Sequence, residues 1–183
     1  MRKFLFILLT AIATLLFSFS FTKDPEKMST DEEKLFKDIN AYRKSLKLPE
    51  IPYSPKLTRV AQIHAKDLSD HPPTEKCNMH SWSGKTEGSA CCYTSDHKNP
   101  ECMWNKPKEL AGYEEAGYEI AAMNTDPEVD WLKQWKGSPG HHQVIINQGI
   151  WKTMKWNAMG VGIRGGYAVV WFGILEDRGK PVR

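Results

Sequence analysis

Apolar residues return at steps of three and four early in the chain, at Leu35, Ile39, Tyr42 and Leu46. The acidic start Asp31-Glu32-Glu33 suits a helix N-terminus, and Pro49 and Pro52 stop the pattern, so one amphipathic helix is predicted between them. A second begins at Ser54, a good N-cap, with Pro55 at its first position. Its stripe is Leu57, Val60, Ala61, Ala65 and Leu68, ending at His71-Pro72-Pro73. His64 lies on that stripe, as expected of a core-edge histidine whose ring nitrogens are hydrogen-bonded. Further on, Lys108 to Glu115 predicts a short helix. Asp126-Pro127 predicts the cap of another from Glu128 to Lys136, with Val129, Leu132 and Trp135 on one side, broken by Gly137-Ser138-Pro139-Gly140.

The last third changes period. Met159 to Ile163, a turn at Arg164-Gly165-Gly166, and Tyr167 to Gly173 read as a β-hairpin. The second strand is too uniformly apolar to have a wet face, so helices must cover both sides of its sheet. The predicted fold is a three-layer α/β/α sandwich, α+β with a mainly antiparallel central sheet.

Arg2 and Lys3, the apolar run Phe4 to Phe17 and the small residues of Ser18-Phe19-Ser20 have the order of a secretory signal cut after Ser20 or Thr22. The run is shorter than the roughly 20 residues that span a bilayer, so no stable membrane insertion is expected after cleavage. The expected organisation is a signal over 1–20, a flexible lead-in over 21–30, one domain over 31–175 and a tail over 176–183, in a secreted, extracellular or periplasmic monomer.

Four cysteines, Cys77, Cys91, Cys92 and Cys102, fall in one short window. In an oxidising compartment they imply two disulfides, with Cys77 paired to one of the adjacent cysteines and Cys102 to the other. A zinc site of Cys77, His80, His97 and Cys102 is the competing use of the same stretch. Charge narrows the partners. The chain has 25 Lys and Arg against 22 Asp and Glu; without Arg2 and Lys3 the balance is about +1. That excess is too small to follow a phosphate backbone, which excludes nucleic acid as a partner.

Asn40-Ala41-Tyr42-Arg43, Cys77-Asn78-Met79-His80-Ser81, Gly117-Tyr118-Glu119-Ile120-Ala121, Trp135-Lys136-Gly137-Ser138-Pro139-Gly140-His141 and the glycine-rich hairpin follow one another in a familiar order. Together they resemble the CAP superfamily, the cysteine-rich secretory, antigen 5 and pathogenesis-related 1 proteins, also called SCP-like domains, and its bacterial branch in particular. The resemblance covers roughly Asp31 to Phe172. It implies an α/β/α sandwich with a cleft where two histidines and two acidic residues converge. His80 and His141 match the histidines and Glu119 the first glutamate. The second acid would fall on Ser138, which is not acidic, with Asp130 and Glu128 nearby.

Two facing imidazoles hold a divalent ion such as zinc through one nitrogen each, while a carboxylate on the other N–H fixes the tautomer. Two protein ligands predict weak, exchangeable binding. Two functions follow. One is a binding module for a lipid, peptide or cell-wall ligand, with Trp82 and Trp104 expected at the surface and Trp131, Trp135 and Trp171 in the core. The other is a metal-assisted peptidase or esterase in which Glu119 acts as base towards a water between His80 and His141, with Ser81 and Ser138 as nearby hydroxyls. His142 is expected to face solvent.

Overall fold

The computed structural model describes residues 27–74, 76–98 and 100–177; the expected signal, most of the lead-in and the end of the tail lie outside them. Helix α1, Thr30–Ser45, starts at a capping box: Ser29 Oγ accepts from Glu32 N, and Glu32 returns a carboxylate oxygen to Ser29 N. Glu32 also accepts from Ile163 N and Gln62 Nε2. Helix α2, Pro55–Asp70, is capped by Ser54, whose hydroxyl accepts from Leu57 N and donates to Asp177 at 2.6 Å. Ser29 and Asp177, just outside the expected 31–175, both satisfy helix N-termini, Asp177 by accepting from Lys56 N as well.

Helices α3 (Glu101–Trp104) and α4 (Lys106–Ala111) follow the cysteine stretch, then strand β1 (Gly117–Met123). The short helix predicted from Lys108 to Glu115 thus lies earlier, ended by Gly112 at φ 62°. Helix α5, Trp131–Lys136, is capped by Asp130, not by Asp126. Pro139 at the first position of α6, Pro139–Ile145, turns the predicted break into a helix start. A 3-10 turn, η1 (Gly149–Trp151), and strands β2 (Ala158–Arg164) and β3 (Tyr167–Gly173) complete the domain.

The sheet is wholly antiparallel, in the order β1-β3-β2. One face packs against α1, α5 and α6 through Leu35, Ile39, Trp131, Trp135 and Ile145. The other packs against α2 and the cysteine loops. This is the predicted three-layer sandwich. On the α2 face, Glu119, Trp171 and Gly160 lie in one cross-strand row and Ala121, Val169 and Gly162 in the next. A Cβ on Gly160 would lie 2.1 Å from Leu57 C, and one on Gly162 2.3 Å from Ala61 C. The two glycines let α2 rest its backbone on the sheet and bring His64 within reach of β1.

The disulfides are Cys77–Cys92 and Cys91–Cys102, with Cα separations of 5.1 and 5.7 Å. They use all four sulfurs, which overturns the zinc alternative of Cys77, His80, His97 and Cys102. Trp82 is a second correction: it is only 3% exposed, pairing with Cys91 in a two-way backbone bridge. Trp104 is half-buried, while Trp131, Trp135 and Trp171 are core as expected.

Candidate functional site

A strand, a helix and a disulfide-closed loop each contribute one side chain to a polar cluster. Glu119 points from β1 towards α2 and its carboxylate is wholly buried. His64 comes from α2, and His80 from the loop that the Cys77–Cys92 bridge closes. His64 Nδ1–H donates to Glu119 Oε2 at 3.1 Å, and its Nε2–H donates to the Ser81 carbonyl at 2.9 Å. His80 Nδ1–H donates to Glu119 Oε1 at 3.3 Å. Burial pushes the Glu119 carboxyl up, but the charges and hydrogen bonds of the two histidines outweigh it and hold the group down at about 2.

His141 reaches the cluster from α6. Burial and the neighbouring charge of His80 lower its basicity, against a smaller pull from Glu119. Its Nδ1 is buried and has no hydrogen-bond partner. His80 and Glu119 are thus in contact, and His141 lies near enough to feel the charge of both. Ser138 stands three residues ahead of His141 as the residue before α6, and no hydrogen bond joins its hydroxyl to the cluster among the described residues.

Glu128 and Asp130 do not supply the second acid. Both are exposed on a groove towards α1, where Asp130 accepts from Lys133 N to cap α5. Ser81 is structural too: its hydroxyl donates to Tyr93 O at 3.1 Å and accepts from Tyr93 N at 2.8 Å. His142, expected at the surface, is half-buried because its Nε2 bonds the Tyr42 hydroxyl at 2.8 Å.

Sequence reasoning understood His64 as a bonded core histidine, which it is, but missed its partner. The available signal was a fully buried polar ring on an apolar stripe, which needs two partners and therefore a second buried polar residue. The imidazole also stacks on Trp82, with centroids 4.1 Å apart and planes at 10°. Behind Trp82, the buried Lys106 ammonium lies 5.3 Å from the ring centroid and bonds Ser89 and Glu109. One turn after His64, Asp67 accepts from Ser83 N and Oγ at 2.7 and 2.5 Å. Burial raises the Asp67 carboxyl, and the Ser83 hydrogen bonds more than offset it and leave it below its ordinary value. Helix α2 therefore holds the His80 loop at two points, Ser81 and Ser83.

The residues fit a divalent ion only sparsely. With Nδ1–H committed to Glu119, neutral His80 keeps its lone pair on Nε2, and the orphaned His141 Nδ1 is a second imidazole donor. Among the described residues no group of three or more His, Cys, Asp or Glu is arranged to hold a metal.

Solved structures share this fold. The chain is 17% identical, at a TM-score of 0.54, to an extracellular SCP-domain protein of Bacillus anthracis, matched over 80% of this chain and 44% of that one. It is 18% identical, at 0.54, to an outer surface protein of Borrelia burgdorferi, over 84% and 99%. A cysteine-rich secretory protein of Staphylococcus aureus gives 13% and 0.50, over 77% and 37%. The chain thus spans less than half the length of the Bacillus and Staphylococcus proteins. No curated protein sequence matches it. The family model for cysteine-rich secretory proteins matches residues 36–164, and the chain belongs to that CAP family.

Proposed function

We propose that the protein is an extracellular binding module whose His80–Glu119–His141 cluster takes a divalent transition ion, zinc being the natural probe, weakly and reversibly. The observation that carries this reading is the buried, unpartnered Nδ1 of His141 beside a histidine whose other nitrogen Glu119 occupies. Glu119 orients His80 and strengthens its Nε2 as a donor, and His64 fixes Glu119 from behind. A bound ion would polarise a ligand's carbonyl or phosphoryl oxygen.

An extracellular setting is supported by the two disulfides and by similar solved structures described as extracellular or outer-surface proteins. Hydrolysis with Glu119 as base is disfavoured. Both its oxygens are engaged, and a carboxyl held at about 2 is a poor proton acceptor near neutral pH.

Zinc titration by calorimetry tests the reading. His80→Ala and His141→Ala should each weaken binding about tenfold or more, while Ser138→Ala should leave it unchanged. Equal affinity in wild type and both histidine variants would overturn the assignment.

A further inference from the structure

We infer that the end of the domain where α1 finishes and η1 turns is a docking surface for an anionic phospholipid bilayer. Net charge near zero conceals an acid-free stretch of chain. From Trp131 to Leu175 the chain has no Asp or Glu, yet it carries Lys133, Lys136, Lys152, Lys155 and Arg164. Asp31, Asp38, Asp126, Glu128 and Asp130 line one groove with Lys34 at the far end of the sheet, and at the near end the acids are Glu114 and Glu115 before β1 and Glu176 and Asp177 after β3. β1 and β2 both run from the η1 end to that groove, a separation of about 20 Å at the usual rise per residue.

At the η1 end the apolar side chains face outward. Ile150 is 81% exposed and Leu46 43% exposed. Asn147 at φ 52° and Gly149 at φ 60° bend the chain sharply just before Ile150. Arg43 ties the two segments together, donating from Nη1 to Ile145 O and Asn147 Oδ1 at 2.5 and 2.7 Å. Lys47, Lys152 and Lys155 flank the apolar pair, exposed and without an acidic partner among the described residues. Half-buried Trp151 packs on Tyr118 and Trp156 at 5.2 and 5.9 Å, an amphipathic ring beneath the exposed isoleucine.

An exposed aliphatic tip, an indole beneath it and unpaired lysines around it match the three zones of an anionic leaflet: acyl chains, interface and phosphates. A soluble polyanion would use the lysines but leave Ile150 in water. Glu115, which faces Tyr118, limits the contact to the η1 side of the aromatic cluster. The contact is peripheral, since one isoleucine and one leucine do not insert a domain.

Hydrogen exchange of the full chain, with phosphatidylcholine vesicles or with vesicles containing phosphatidylglycerol, reads the contact locally, apart from anything the N-terminal apolar run does. Slowed exchange is expected over 147–155 and around Leu46 with the anionic vesicles alone. In vesicle sedimentation, Ile150→Asp should weaken binding about tenfold or more, and Lys152→Glu with Lys155→Glu about as much, at roughly fivefold per lysine. His80→Ala and His141→Ala should leave it intact, which separates this surface from the metal cluster. Unslowed exchange over 147–155, equal vesicle binding by Ile150→Asp, or the same protection from soluble polyphosphate would each overturn the inference.

Discussion

The two faces of the sheet are closed by different means. Towards α1, α5 and α6 the contact is made of side chains: Leu35, Ile39, Ile120, Val161 and Val170 interlock, and the buried polar groups of α1 are hydrogen-bonded, Asn40 to the Ile51 backbone and the Arg43 guanidinium to the carbonyls of Pro49 and Ile145 and to Asn147. Burial lowers that guanidinium's pKa to about 10. Towards α2 the contact is backbone on glycine, and beside it sits a carboxylate between two histidines. A face made of apolar side chains tolerates small changes in volume. A face made of backbone contact and a buried charge tolerates neither a methyl group nor the loss of one partner.

That contrast can be broken in four ways. Glu119→Ala should cost the most, about 3–5 kcal/mol in chemical denaturation, because it strands the buried His64 between one acceptor and a void. A cost under about 1 kcal/mol would mean that the cluster does not hold the α2 face together. Gly162→Val comes next at about 3 kcal/mol, since its Cβ meets the Ala61 carbonyl, which no rotamer change relieves.

Asp67→Asn should cost about 1–2 kcal/mol at pH 7 through weakened bonds to Ser83. Its sign with pH is fixed. The folded carboxyl lies below the ordinary value of 3.8, so its contribution is present above about pH 4 and fades as pH falls through the lowered value. Wild type and variant should therefore converge in urea midpoint as pH drops below 4; a constant gap would remove Asp67 as the cause. The smallest effect belongs to the opposite face. Ile39→Val should cost about 1 kcal/mol and leave zinc affinity unchanged; a loss of affinity would show that the two faces are coupled.

Much of this was legible in the chain. Ser54-Pro55 fixed the start of α2 because capping is local, and the hairpin at Gly165-Gly166 followed from residues that accept positive φ. α5 was misjudged at its start because Asp126 and Asp130 are both good caps, and only packing of Trp131 against the core selects between them. Trp82 was misplaced because a loop pinned by two disulfides can still bury a ring when α2 offers His64 to stack on it. The family motifs carried His80, Glu119 and His141 to one place without revealing His64, which matches no motif but contacts Glu119.

By itself, then, the sequence determined the element types, the layering and the disulfide-stapled segment, because periodicity, caps and spacing are properties of short stretches, while the three cluster residues came from its resemblance to a family. Tertiary structure decided which cysteines pair, that α2 lies on Gly160 and Gly162, and that Glu119 is held from both sides. Each of these depends on residues far apart in the chain, and only the close approach of helix and sheet sets the distances between them.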